Sequence, residues 1–435
     1  INIASEQPGT AAYDETVAHE FQHVIHAHLH PMDEAWLNEG SSVLAQVLNG
    51  YSADGWDSQK AQQPDTQLDA WDPVSNIGYG SGYLWMLYLY EHFGGARATR
   101  MELSDNGLSG MALFDDLLPR LGVHETANQL FADWVVANFL NDPSIAGGRY
   151  GYTHTKVKSR PTSTQQLPFT QTSTMHQYAA NYINIGATGG KPFTLTFAGQ
   201  PTVPLLGTVA PTQGFWWSNR GDSVDDTLTM PSLDLRGVAH ATLRYQVWYD
   251  LEKDYDYGYV EVSTDGGKTW YAQHTPHTTS GNPNGTNLAD GYTGSSCSAA
   301  TQAQHCWIQE QLDLSRYAGK RILVRFEQVT DDEYNGQGVA VAHIQVPQIG
   351  FDGDSTTAGW QAGGWVRATN TLAERWIVQA LVYRPSGISV LPVPVDAAGH
   401  GSLHVPAGST RVVVVVSPLA PLTTVRNSYT LSAGT

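Results

Sequence analysis

His19-Glu20-Phe21-Gln22-His23 and Trp36-Leu37-Asn38-Glu39-Gly40 decide how the first part of this chain reads, with Glu39 sixteen residues beyond His23. On a helix, residues i and i+4 share one face, about 6 Å apart along the axis. Two imidazoles so placed can both reach one Zn²⁺ at about 2.0–2.1 Å. Glu20 lies beside that face, where it can act as general base on a metal-polarised water. Such a site needs a third protein ligand, and Glu39 is the candidate.

The surrounding pattern supports this. Tyr13, Val17, Phe21, Val24, Ile25 and Leu29 recur at helical spacing from Ala11 to Leu29. Thr10 is a candidate N-cap, Asp14 and Glu15 sit at the positive end of the helix dipole, and Pro31 stops the helix. A short acidic turn leads into a second helix, Ala35 to Leu48, antiparallel to the first. His26, His28 and His30 follow at spacings that do not match the ligand pair, so they read as a polar helix end.

Asn38-Glu39-Gly40-Ser41-Ser42 resembles the second motif of gluzincin-type zinc metallopeptidases. The resemblance implies His19, His23 and Glu39 as Zn²⁺ ligands and Glu20 as general base. The family pattern places an Asp after the motif serine as partner of a ligand His. Here that position is Val43, so another group must take the role. Tyr79-Gly80-Ser81-Gly82-Tyr83-Leu84 opens a further helix, similar to one in related bacterial metallopeptidases. Tyr79 or Tyr83 could donate to the oxyanion of the reaction; the alternative is that both are core aromatics.

The fold class expected is multidomain α + β, a helical zincin-like lower subdomain followed by β-sandwich and jelly-roll modules. Residues 1–160 read as helical, with further helices at Met111–Leu121 and His124–Asn141. Residues 161–175 are rich in Pro, Thr, Ser and Gln and read as a linker. Residues 176–212 plus 351–435 read as one β-sandwich, interrupted by a module at 213–350. Val412 to Val416 should be a central buried strand, because exposed it would aggregate.

The stretch with Trp216-Trp217-Ser218, Asp254-Tyr255-Asp256-Tyr257-Gly258 and Asp265-Gly266-Gly267 resembles the jelly-roll module of immune inhibitor A-like secreted metallopeptidases. Such modules often hold Ca²⁺, which takes six to eight oxygens. Asp222, Asp226, Asp250, Asp254, Asp256, Asp331 and Asp332 are the candidate ligands; the alternative is solvated turns. The family's acidic pair before the last strand is replaced by Ala342-His343, which would remove a ligand.

Net charge is −18, from 41 acidic and 23 basic residues. That excludes nucleic acid and anionic membrane as partners. No apolar run approaches the roughly 20 residues needed to span a bilayer. Cys297 and Cys306, the two cysteines, read as a disulfide in an oxidising compartment. Only 18 residues precede His19, whereas zincins place a β-subdomain before that helix, so a separate or processed N-terminal part is an expected partner.

Two functions are in contention. One is an extracellular, secreted or cell-surface zinc endopeptidase acting on protein or peptide substrates. The other is an extracellular binding or structural protein on an inactive scaffold, its β modules meeting surface glycans or proteins. Trp216 and Trp217 are candidate contacts, with core packing the favoured alternative.

Overall fold

A computed structural model describes residues 7–71, 76–104, 107–186, 188–297, 306–355 and 357–434. The chain separates into two compact units, one formed by Ile1–Val203 with Ala373–Thr435 and the other by Pro204–Leu372.

Among the described residues, seven helices open the first unit: α1 (Ala11–Leu29), α2 (Ala35–Leu48), α3 (Trp56–Gln62), α4 (Ile77–His92), α5 (Ala96–Glu102), α6 (Gly110–Arg120) and α7 (Ala127–Leu140). The Thr10 hydroxyl accepts from the Tyr13 N–H and caps α1. Thr126 and Gln129 form a capping box on α7. α4 is apolar around its circumference and buried from Ile77 to Leu89 except Tyr79, as befits the central helix of the group. Trp36, Phe114 and Trp134 pack edge-on against its Trp85.

One sequence expectation fails on α1. Its apolar stripe does not face the core: Phe21 is 62% and Val24 63% exposed, and Val17, Ile25 and Leu29 are also exposed. The face turned to the protein is polar, with Gln22 and His26 buried. The hydrogen bonds made by that face replace apolar contacts as the reason for its orientation.

The rest of the first unit is a β-sandwich. One sheet orders its strands Ser163–Gln165, Asn181–Ile185, Arg411–Pro418, Trp376–Arg384, Gly387–Pro392; the other orders Phe169–Met175, Asn427–Gly434, Phe193–Gly199, His400–Val405. Ile183, Val378, Val412 and Val414 of the first sheet share a core with Phe193, Phe197, Tyr429 and Leu431 of the second. Val412–Val416 are fully buried on a strand paired on both sides. Both faces are dry because the outer face packs on the helices: Tyr182 stacks on Phe139 and donates to the Val135 carbonyl at 2.7 Å. The helical part and this sandwich are therefore one unit, not two domains. Residues 161–175 are not a linker, since they carry the strands Ser163–Gln165 and Phe169–Met175.

In the second unit two mainly antiparallel sheets face each other across an apolar core. Its limits are wider than 213–350. Gln361–Gly363 pairs with Asp225–Thr229, and Val366–Ala368 with Phe215–Trp217. Trp216 and Trp217 are buried, and the Trp217 indole donates to the Gln337 carbonyl at 2.7 Å, so they serve the core and not a glycan. Cys297 and Cys306 are disulfide-bonded; the loop between them lies outside the described residues. Among the described residues, no helix is long and apolar enough to cross a membrane.

Candidate metal centre

α1 and α2 run antiparallel, so early residues of one meet late residues of the other. His19 faces Glu39 and Gln46, while His23 faces Asn38 and Ser42. The Glu39 carboxylate oxygen Oε2 stands 3.1 Å from His19 Nε2 and 3.5 Å from His23 Nε2. The two imidazoles meet edge-on with centroids 4.7 Å apart. Three donor atoms of the types a Zn²⁺ site uses thus converge from two helices.

The far sides of both rings are also held. His19 Nδ1–H donates to Gln46 Oε1 at 2.8 Å, and the Gln46 amide is oriented by Asp54 at 3.2 Å. His23 Nδ1–H donates to Asn38 Oδ1 at 2.9 Å. With Nδ1–H so engaged, Nε2 is the ring atom turned to Glu39, and a metal would take the place of the proton that Nε2 donates to the carboxylate. Asn38 and Gln46 thus hold the far sides of the two rings, which Val43 could not do.

Glu39 is buried, and burial pushes its carboxyl up, but the bonds to His19 and His23 outweigh this and hold it below its ordinary value. Burial pushes His23 down, while Glu39, Asn38 and Glu20 more than compensate and leave it raised. Glu20 is exposed beside the pair.

Gly40 and Gly82 seat the Glu39 helix. A Cβ on Gly40 would meet the Gly82 carbonyl carbon at 2.4 Å, and one on Gly82 would meet the Trp36 carbonyl oxygen at 2.1 Å. Only glycines allow α2 and α4 to approach this closely. Of the two candidate oxyanion donors, Tyr79 lies 6.3 Å from His19 ring to ring, braced by Trp56 and Trp71. Tyr83 is 1% exposed and its hydroxyl is pushed up by burial and by Asp57 and Glu91. It belongs to the core, and the donor role cannot be its own.

His26 and His30 are not a solvated helix end. Both are buried, with Asp33 and Glu102, and these four form the second of two groupings of metal-ligating side chains among the described residues. His28 is exposed, as expected.

In the second unit, Asp222, Glu252, Asp256 and Asp331 share one neighbourhood. Asp256 accepts from the backbone N–H of Asp331 at 3.1 Å and of Glu252 at 3.3 Å. Burial, followed by the Asp331 and Glu252 charges, pushes Asp256 up to about 8. Burial, followed by Asp331, Glu333 and Asp222, pushes Glu252 up to about 7. Asp250 accepts from the Gln337 N–H at 3.3 Å. Asp254 holds a left-handed turn, its N–H donating to Thr293 at 2.8 Å. Asp332 is exposed. Asp226 sits apart on a strand, pressed on Gly364 and raised to about 6 by burial and by Asp225. Among the described residues, these carboxylates do not close to the 4.8 Å mutual separation reached by the histidine groupings.

Residues 203–368 match the family model described as "Immune inhibitor A-like, MAM domain". The chain is 29% identical over 141 residues to "Pre-pro-metalloprotease PrtV" of Vibrio cholerae serotype O1, which is 32% of this chain and 13% of that protein. It is 31% identical over 127 residues to "Immune inhibitor A" of Bacillus thuringiensis subsp. alesti, covering 28% of this chain and 16% of that one. To "Bacillopeptidase F" of Bacillus subtilis it is 29% identical over 120 residues, 28% of this chain and 7% of that one. The chain thus spans less than a fifth of the length of these curated relatives. What the match reaches is the module of the second unit; of these proteins, PrtV is named a metalloprotease and Bacillopeptidase F a peptidase.

Proposed function

We propose that this chain carries the zinc-binding half of a secreted metalloendopeptidase, with His19, His23 and Glu39 as Zn²⁺ ligands. One observation carries the reading: two Nε2 atoms and one carboxylate oxygen converge while both Nδ1–H groups are held by side-chain amides. The donor set fits a catalytic zinc, which takes three protein ligands and keeps one position open. When bound, the ion polarises water and a peptide carbonyl. Glu20, exposed one residue from His19, would take a proton from the attacking water and return it to the leaving amine. Tyr79, whose ring lies 6.3 Å from that of His19, would donate to the oxyanion. The named relatives supply the substrate class, protein or peptide. Glu20→Gln should keep the metal and abolish cleavage of casein; retained turnover would remove Glu20 from its role.

The crowded carboxylates around Asp256 support a Ca²⁺ in the second unit, since a divalent cation would stabilise the charged forms that burial, and after it mutual repulsion, disfavour.

A second reading, an extracellular binding protein on this scaffold, is favoured by the exposed Phe21 and Val24 beside the metal ligands. Cleavage that a chelator abolishes and zinc restores would reject it.

A further inference from the structure

We propose that His26, His30, Asp33 and Glu102 form a second metal site, enclosed by protein and built for one structural Zn²⁺-like ion. The four residues come from the end of α1, its cap, the turn before α2 and the last residue of α5. All are buried, Glu102 completely. One ligand atom from each lies within 4.8 Å of every other. Around a tetrahedral zinc, ligand atoms stand about 3.4 Å apart. His26 Nε2 and His30 Nδ1 are already 3.0 and 3.5 Å from Asp33 Oδ2.

The supports are those a metal site needs. Asp33 Oδ1 accepts from the Ser109 hydroxyl at 2.9 Å and from the Glu34 N–H at 3.0 Å, which turns Oδ2 toward the imidazoles. The His26 and His30 rings are parallel within 8°. Gln22 lies against His26 Nδ1 at 3.1 Å and accepts from Ser42 at 2.6 Å. A flip of its amide presents an oxygen to His26 Nδ1–H and an N–H to the Ser42 oxygen, freeing Nε2 for a metal.

A divalent ion here would add positive charge beside two buried carboxylates. Neutral imidazoles and carboxylates of this composition suit zinc among the divalent ions. With four protein ligands and no exposed face, the site has no open position and serves structure, not catalysis. It would tie α1 to α5 and to the turn that starts α2. Ser42, which touches both Gln22 and His23 Nδ1 (3.2 Å), links it to the first site.

The test is Co²⁺ and Zn²⁺ titration of the chelator-treated full chain, followed by elemental analysis and by the visible spectrum of four-coordinate Co²⁺. The wild-type chain should take two equivalents. A His19→Ala/Glu39→Ala chain should keep one, and adding Glu102→Gln should remove it. Retention of one equivalent in the double variant alone would support this site even if the first reading failed. One equivalent in the wild type and none in the double variant would overturn the proposal, as would none in either. If Glu102→Gln unfolds by circular dichroism, the wild-type endpoint decides between one and two.

Discussion

Gly82→Ala sets two physical effects against each other at the helix that carries Glu39. In a helix interior, Ala is favoured over Gly by about 1 kcal/mol. Here, however, the new methyl would meet the Trp36 carbonyl oxygen at 2.1 Å and the Gly40 Cα at 3.0 Å, where ordinary contact begins near 3.4 Å. The obstacles are backbone atoms, so no side-chain rotation relieves them. α2 and α4 must separate, loosening Trp36 against Trp85 and Phe114. Overpacking of this kind costs about 1–3 kcal/mol and sometimes more, and the loss of buried aromatic contact adds to it. We expect a net loss of about 2 kcal/mol, a fall of roughly 4–8 °C in the melting temperature of a unit this size. The assay is thermal and urea unfolding monitored by tryptophan fluorescence. Gly237→Ala, with nothing within 4 Å of its Cβ, is the control and should be neutral. Because Glu39 adjoins Gly40, zinc affinity should fall with stability. A neutral or stabilised Gly82→Ala would refute the close approach of the two helices.

Asn38→Ala should weaken zinc binding about 10–100-fold without unfolding the chain, since it frees the far side of His23; unchanged affinity in a competition titration would exclude the role. Lys60 is fully buried, donates to the Pro64 and Thr66 carbonyls, and is pushed down to about 7 by burial. Between that value and 10.5 the unfolded chain holds the extra proton, so Lys60 makes stability rise with pH, by at most about 1.4 kcal/mol per unit. Urea midpoints from pH 7 to 9 should show a slope that Lys60→Met removes; equal slopes would reject this. Millimolar Ca²⁺ added to chelated protein should raise the melting temperature of the second unit, and Asp256→Asn should blunt the rise. An identical shift in both would place the ion elsewhere.

Local signals in the sequence were readable. The Thr10 cap, the bounds of the first two helices and the valine strand depend on neighbours in the chain, and they stand where expected. The α1 stripe misled because apolar spacing reports a face, not which face the protein covers. His26 and His30 could not be read as a cluster, since Glu102 reaches them from seventy-two residues beyond His30. The strand Phe169–Met175 passed for a linker because Thr and Ser fill its exposed positions. Its partner, Asn427–Gly434, lies at the other end of the chain, and the strands join through pairs such as Thr172 with Thr430 at 2.9 Å. The convergence of His19, His23 and Glu39 was legible; the amides behind the histidines were not, because any polar residue could have filled that place.

Asn370 has a bearing on how the chain acquires its shape. Its side chain accepts from the Leu206 N–H at 2.6 Å and donates to the carbonyls of Leu206 at 3.2 Å and Thr208 at 2.7 Å, clasping together the two ends of the inserted unit. Strand Phe193–Gly199 must find His400–Val405 across that insertion of 169 residues. If the insertion folds first, its ends meet, and the sandwich halves are tethered by a short connection in place of a long one. Shortening the connection from about 200 residues to about 40 is worth about 1.4 kcal/mol of loop-closure entropy. Asn370→Ala should then slow formation of the sandwich in stopped-flow refolding, and an unchanged rate would show that the halves join first. A chain whose clasp fails gains time in which its strand can pair with the sandwich half of another molecule, so this one amide would also guard against strand exchange.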